Sequence, residues 1–425
     1  MPEIKEFHGL RYNQKLIKDI SRVVAPPYDI ISPSRQNELY KIHPNNVIRL
    51  ELGKAGRTDG PKDNRYTRAK RYMDEWLRKK IMLPEAKPAI YVYSQEYKYS
   101  GKRMVRTGFL SLMGIEGDNK VLPHENTLLA PKMDRLNLMK AVKTNLSPIF
   151  ILYEDKKHLI NKIIDKFCRR HKPAINILFE GVRNKVWVLD DEKLLGKIRR
   201  SMANKNTFIA DGHHRYEVSR MYSKYIKGQP VSRELKENSR YIMVYFAEAD
   251  DRTLTVLPAH RLVRDASGLS AREILAKLEK YFFVRKVSGL NSMMAGLSKL
   301  ASSHAFGAYL GSGQFYLLKL KDVSYSDKVI KDKPLDWKRL DVSILHLFVF
   351  QYVLGVRDED DNIEFVKDPA EIPEMIDSKK YKIAFFMNPT KAWQVRRIAK
   401  LGERMPRKAT YFYPKPISGL VINKH

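Results

Sequence analysis

Apolar runs rich in aromatic and β-branched residues mark the strands of this chain. Ala89 to Tyr97 and Met104 to Ile115 flank Ser100-Gly101-Lys102, and the pair predicts a hairpin. Gly307 to Leu310 and Phe315 to Leu320 predict a second one around Gly311-Ser312-Gly313. Shorter apolar runs at Val186 to Leu189, Thr207 to Ala210, Tyr241 to Ala247, Leu254 to Leu257, Ile383 to Met387 and Tyr411 to Tyr413 read as further strands. Helical spacing appears over Thr67 to Lys79, Met133 to Val142, Leu159 to Arg169, Ala271 to Leu278, Val342 to Val353 and Lys391 to Leu401. Strands and helices interleave, yet the hairpins argue against a purely parallel sheet. The expected fold is α+β, with mixed sheets, hairpins and flanking helices. Three parts are expected, 1–155, 156–265 and 266–425, with a site assembled from all of them.

Composition narrows this picture only in places. A chain of 425 residues, 43% of them hydrophobic, is long enough for two or three cores. Its single cysteine, Cys168, excludes an intramolecular disulfide framework and suits a reducing interior. Met1 to Ile20 has no unbroken apolar region of the secretory kind. The most apolar stretch, Val342 to Val356, is too short to span a bilayer and carries Ser343, His346 and Gln351. A cytoplasmic protein without membrane partners is expected. Lys and Arg number 79 against 48 Asp and Glu, giving 79 − 48 = +31. That charge makes nucleic acid a rival partner. The basic residues are scattered, however, and no basic tail or zinc-finger spacing accompanies them.

The densest chemistry lies at residues 207–215. Thr207 to Ala210 is a short strand, and Asp211-Gly212-His213-His214-Arg215 opens a helix in which Val218, Met221, Tyr222 and Tyr225 fall at helical spacing. Asp211 is placed to be the N-cap, and Gly212 lets a ligand approach the backbone. A helix N-terminus carrying two histidines and an arginine favours an anion, because its N–H groups and dipole are positive. Arg215 adds a fork matched to phosphate oxygens. The plainer alternative is a capped helix whose histidines bond nearby backbone. A shared metal on His213 and His214 is disfavoured, since neighbours on a helix diverge by about 100°.

Other segments carry two readings each. Two prolines in 24–29 stiffen the chain and present Tyr28 and Asp29, or simply make a rigid turn. His124 and Glu125, followed by Lys132, Asp134 and Arg135 before a helix, form either an acid–base set or exposed capping charges. Asn388 ends an apolar strand, where it bonds a ligand or caps the next helix. Lys408 and Lys415 flank three aromatics, as a phosphate-and-ring pocket or as basic guards of an edge strand. The chain lacks GxxxxGK[ST], GxGxxG, GxSxG and the protein-kinase motifs. Any nucleotide chemistry must use another cradle.

Taken in order, APPYD at 25–29, NxxRL at 46–50, HExT at 124–127, PKxDR at 131–135, DGHHRYE at 211–217, LPxHR at 257–261, MNPT at 387–390 and TYFYPK at 410–415 resemble domain of unknown function family 1015, over about 7–421. Two positions depart from the pattern: Ala409 stands where serine is expected and Ala259 where threonine is common. The DGHHR element is also similar to the phosphate-binding turn of the ParB/sulfiredoxin-like superfamily, which includes nucleotide-binding partition proteins and free-serine kinases. That resemblance implies phosphoryl transfer from ATP or ADP, with Mg²⁺, to a small hydroxyl compound such as free L-serine. Gly212, His213, His214 and Arg215 would hold phosphates. Lys132, Arg135, Asn388, Lys408 and Lys415 would complete the nucleotide site. Asp211, Glu125, Asp29 and His124 are the candidate catalytic groups, as base or magnesium ligand. Two alternatives stay open: a non-catalytic nucleotide-binding switch or DNA-associated protein, and a metal-dependent hydrolase using His124 with His213 or His214.

Overall fold

The computed structural model describes residues 3–115, 121–122, 129–249, 253–356 and 362–425. The HExT segment, with His124 and Glu125, lies outside them. Within the described residues the fold is α+β with mixed sheets and flanking helices. The chain divides into two compact units. One runs to Thr255 and takes in Pro414–His425; the other is Val256–Tyr413. This differs from the three parts expected. The reason is the large sheet, whose strands on both sides of residue 155 are hydrogen-bonded neighbours and share one core.

Nine strands build the sheet of the first unit: β1 (Ile4–Lys5), β2 (Ile90–Tyr99), β3 (Lys102–Gly114), β4 (Val121–Leu122), β5 (Ile149–Tyr153), β6 (Ile175–Phe179), β7 (Val182–Leu189), β8 (Thr207–Asp211) and β9 (Tyr241–Glu248). The order is β4-β8-β5-β9-β3-β2-β7-β6, with β1 paired to β3. β9 runs parallel to β5 and β4 parallel to β8, while the other pairs are antiparallel. The β2–β3 hairpin closes on Ser100 and Gly101, at φ 46° and 75°. Positive φ at both central positions gives the turn the twist of its strands, and glycine meets it without a Cβ clash. The helices of this unit include α1 (Arg65–Arg78), α2 (Leu129–Val142), α3 (Leu159–Arg170), α4 (Glu192–Met202) and α5 (His213–Lys227). Ile160, Ile164 and Phe167 of α3 and Leu195, Ile198 and Met202 of α4 join the sheet's Val92, Phe109 and Phe246 in one core. Each such side chain contributes roughly 1.5–3 kcal/mol on burial. Of the four positions at helical spacing, Val218 and Tyr222 are buried on α5, Met221 is half-buried and Tyr225 is exposed beneath the Lys140 ammonium.

The second unit holds a six-stranded sheet of β10 (His260–Val263), β11 (Phe282–Val287), β12 (Ala305–Tyr309), β13 (Phe315–Leu320), β14 (Ile363–Val366) and β15 (Ile383–Met387), ordered β11-β13-β12-β15-β10-β14. Its helices include α6 (Ala271–Glu279), α7 (Leu290–Lys299) and α8 (Ala392–Lys400). The helix expected over Val342 to Val353 instead winds as a π-helix from Ile344 to Leu354. Phe348, Val349, Phe350, Tyr352 and Val353 are residue types that crowd the preceding turn of an α-helix, and a wider turn relieves them. Among the described residues, no helix is long and apolar enough to cross a membrane.

His260 is wholly buried on β10. Its Nδ1 accepts a bond from the Met387 amide at 3.2 Å, and Nε2 has no partner among the described residues. Burial, aided by Arg261, pushes its pKa down to about 4. A depressed pKa contributes stability that is full above the unfolded value, about 6.5, and is lost as pH falls toward the folded one. Moving from pH 7.5 to 4.5 should therefore cost about 2–3 kcal/mol through this residue. Urea unfolding of the wild type and His260→Gln at both pH values checks this: the variant should lose correspondingly less, and equal losses would refute the assignment.

Candidate functional site

The site of the first unit is assembled from three separated segments by backbone clamps. Asn46 is buried and donates to the carbonyls of Arg22 and Val24, at 2.8 and 3.0 Å, while its Oδ1 accepts from the Ile48 amide. It thus ties the segment leading into Pro26-Pro27 to the short helix Ile48–Glu51. Pro27 then starts a single 3₁₀ turn, Tyr28–Ile30, which presents Tyr28 and Asp29. At the far end of the chain, Arg106 of β3 grips Gln95 Oε1 and the Pro414 carbonyl, and Gln95 Nε2 donates to the Lys415 carbonyl at 3.1 Å. The sheet itself holds Lys415 in place.

These segments converge on the end of β8. Asp211 Oδ2 accepts from Arg215 Nη2 at 2.6 Å, and Oδ1 lies 2.6 Å from Lys415 Nζ. Lys415 also pairs with Asp29 Oδ2. Two carboxylates outweigh the desolvation that would lower the Lys415 pKa, so its ammonium is held well above the ordinary range. Arg215 reaches back to the Pro148 carbonyl. Those two bonds use two of the five N–H donors that a guanidinium carries. Burial works against its charge, but Asp211, Asp29, Tyr28 and Glu51 raise its pKa.

Gly212 occupies the N-cap of α5 at φ 94°. This corrects the expectation that Asp211 caps the helix: its carboxylate is drawn into the ion pairs instead, and Gly212 takes the left-handed position. A side chain at 212 would also meet the Arg215 guanidinium, 3.1 Å from where its Cβ would stand. The positive end of α5 therefore opens beside Asp211, Arg215 and Lys415.

A second group adjoins the first. Arg135 lies 4.2 Å over the Tyr28 ring, donates to Asp134 at 2.6 and 2.8 Å, and bonds the Glu51 carbonyl at 2.6 Å. Asp134 also accepts from Tyr66 at 2.7 Å and pairs with Arg65 at 2.6 Å. Burial would raise the Asp134 pKa, but Arg135, Tyr66 and Arg65 hold it below the usual range. Burial pushes Tyr28 up to about 12 against the pull of Arg215 and Arg135. Glu51 accepts from Ser147 at 2.8 Å, and its pKa is raised by burial in spite of Arg135.

The sequence pattern of the family described as "Protein of unknown function (DUF1015)" matches residues 4–343. The chain belongs to this family. A search of curated proteins matched none. Among solved structures, a free serine kinase in complex with AMP is similar at 12% identity and a TM-score of 0.33, over 71% of this chain and 86% of that one. A conserved hypothetical protein from Pyrococcus furiosus is similar at 11% and 0.34, over 71% and 90%. SbnI with a C-terminal truncation, from Staphylococcus aureus, is similar at 10% and 0.35, over 74% and 87%.

Of the residues singled out from sequence, Asp29, Arg135, Asp211, Gly212, Arg215 and Lys415 come together. His213 is buried in the first turn of α5 and His214 is partly buried. Lys132 pairs with Glu217 of α5 at 2.9 Å. It lies, with Asp134 and Arg135, inside α2 rather than before a helix. Asn388 and Lys408 belong to the second unit. There Asn388 donates to the Leu297 carbonyl at 2.9 Å, while Lys391 is the N-cap of α8. The Lys408 carbonyl accepts from Arg261 at 3.0 Å. His124 and Glu125 lie outside the described residues. Sequence reasoning missed Glu51, Asn46, Tyr66 and Ser147. A signal for Glu51 existed: a lone acid between Leu50 and Leu52, directly after the NxxRL motif.

Among the described residues, no group of three or more His, Cys, Asp or Glu could hold a metal ion. Asp29 and Asp211, which share Lys415, do offer the one or two carboxylates that Mg²⁺ takes when substrate phosphates supply other ligands. The cluster is also balanced in charge: Asp29, Glu51, Asp134 and Asp211 face Arg65, Arg135, Arg215 and Lys415. Phosphates bound beside it would tip that balance to negative.

Proposed function

We propose that this protein transfers a phosphoryl group from ATP or ADP to a small hydroxyl compound. The observation that carries this is the end of β8, where Asp211 lies between Arg215 and Lys415 beside the glycine-opened N-terminus of α5. Phosphoryl transfer requires charge neutralisation and positioning above all. The first turn of α5 and the fork of Arg215 would bind phosphate oxygens, and Lys415 would neutralise them. Asp29 and Asp211 are the residues that would hold Mg²⁺, which would supply further neutralisation of phosphate charge. Free L-serine is the acceptor implied by the resemblance of the turn.

Phosphorus NMR of the protein with Mg²⁺, ATP or ADP and a pool of amino acids tests the reading. A phosphomonoester signal that requires serine should appear, and Asp211→Asn should abolish it. Untouched nucleotide in every mixture would refute it.

A second reading has its own observation. α3 and α4 flank a groove lined by Lys162, Lys197, Arg200 and Lys205, of which only Lys205 has an ion-pair partner, Asp155, among the described residues. With a net charge of +31, this favours a DNA-associated, nucleotide-binding role. Tight duplex binding with a steep salt slope would support it over catalysis.

A further inference from the structure

Behind the ion cluster lies a cavity of about 40 Å³, bounded by Glu51, Ser147, Arg135, Arg215, Asn145 and Ser219. Among the residues that bound it, three polar atoms are buried without a hydrogen-bond partner among the described residues: Glu51 Oε2, Asn145 Nδ2 and Ser219 Oγ. Their residues are more than nine-tenths buried. Buried polar atoms are nearly always satisfied, and leaving one unmade costs about 1–3 kcal/mol. Three in one cavity therefore mark a place kept for something polar. The other halves of these side chains are fixed. Glu51 Oε1 accepts from Ser147, and Asn145 Oδ1 accepts from the Met243 amide at 3.2 Å and Asn423 Nδ2 at 2.9 Å. Glu51 Oε2 and Asn145 Nδ2 thus cannot turn away without breaking bonds.

The chemistry of these three atoms selects the guest. Glu51 Oε2 accepts, Asn145 Nδ2 donates, and Ser219 Oγ does either. A hydroxyl has the matching capacity for all three, because it donates one hydrogen and accepts two. A phosphate would be repelled by the carboxylate, and an ammonium has nothing with which to accept from Asn145. Size narrows the choice further. At roughly 10–15 Å³ per water, the space takes about three non-hydrogen atoms. That is an alcohol arm, not a nucleoside.

We infer that this cavity is the subsite for the hydroxyl-bearing arm of the phosphoryl acceptor, with Glu51 Oε2 the atom that receives its proton. The inference rests on the reading proposed above. In the step, the acceptor oxygen forms the new bond to the terminal phosphorus of the nucleotide, and its proton passes to Glu51. The bond from that phosphorus to the bridging oxygen breaks, and its electron pair leaves with the shortened nucleotide. Arg135 and Arg215, which line the same cavity, face the charge that develops.

Matched probes test it: L-serine against L-alanine and ethanolamine against ethylamine, titrated calorimetrically into the full chain with ADP. The wild type should bind at least one hydroxyl probe about tenfold or more tighter than its partner, since a site built for a hydroxyl rejects the analogue lacking it. Glu51→Gln, which keeps the shape and the bond from Ser147, should erase that preference. It should also slow transfer by about 10²-fold or more, as loss of a general base does, while ADP affinity stays within about twofold of wild type. Ser219→Val should erase the preference as well and guards against a folding artefact of the first variant. No hydroxyl preference in the wild type, or the same preference in both variants, overturns the subsite. A clear preference without any transfer would instead tell against the phosphotransferase reading alone.

Discussion

Arg215→Ala should slow phosphoryl transfer at least about a thousandfold, the scale on which a charge-stabilising arginine acts at a transferring phosphate. The same change should weaken nucleotide binding, because the residue sits where α5 opens. Part of the loss will be structural. Arg215 bonds Asp211 and the Pro148 carbonyl, and without it Asp211 keeps Lys415 but loses half its neutralisation. Arg215→Lys separates the two effects. A lysine restores the charge but not the planar fork, so stability should return toward wild type while transfer stays at least about tenfold down. Turnover of both variants by phosphorus NMR, with urea unfolding alongside, provides the check. Wild-type turnover in Arg215→Lys would mean that only charge matters there.

Lys415→Met carries the largest expected effect on stability. The ammonium is buried and shared by Asp29 and Asp211, so its removal leaves two carboxylates close together with one cation fewer. Breaking a buried pair in this way costs about 3–5 kcal/mol, and partial exposure of Asp29 places the value near the lower end. Sign and pH range follow from the raised pKa of Lys415. A raised lysine contributes its full stability below the unfolded value near about 10.4, and loses it only as pH climbs through the higher folded value. The deficit of the variant should therefore be constant across the neutral range and shrink only in strong alkali. Chemical denaturation at pH 7 and pH 8.5 reads this directly; a variant as stable as wild type would show that the cluster is not under electrostatic load. The double variant Lys415→Met/Asp29→Asn should recover part of the loss by removing one of the stranded charges.

Much of the fold could be read from local patterns. The hairpin at 100–101 announced itself because its turn needs positive φ and the chain supplies a glycine there. Strands such as β9 and β15 are unbroken apolar runs, the mark of burial on both faces. The short helices and small strands were harder. α4 went unread although Leu195, Ile198 and Met202 are spaced for it and Asp191 caps it through the Leu194 amide. The candidate site divides in a similar way. Asp211, Gly212 and Arg215 are neighbours in sequence, so their association was visible. Glu51 was not, because what makes it unusual is Ser147, 96 residues away, and a cavity that exists only once α2, α5 and the sheet have met. Asp211 looks like a helix cap for the same reason: local sequence does not show that Lys415, some two hundred residues on, claims its carboxylate.

The first unit is interrupted in sequence, leaving at Thr255 and resuming at Pro414. A ribosome that has made the first 255 residues therefore holds Asp29, Asp211 and Arg215 without the ammonium that joins the two acids. Until translation reaches Lys415, the nascent cluster carries an excess of negative charge at the very place where phosphate would bind. Repulsion would keep phosphate away from that place until the second unit and the segment after it have been made.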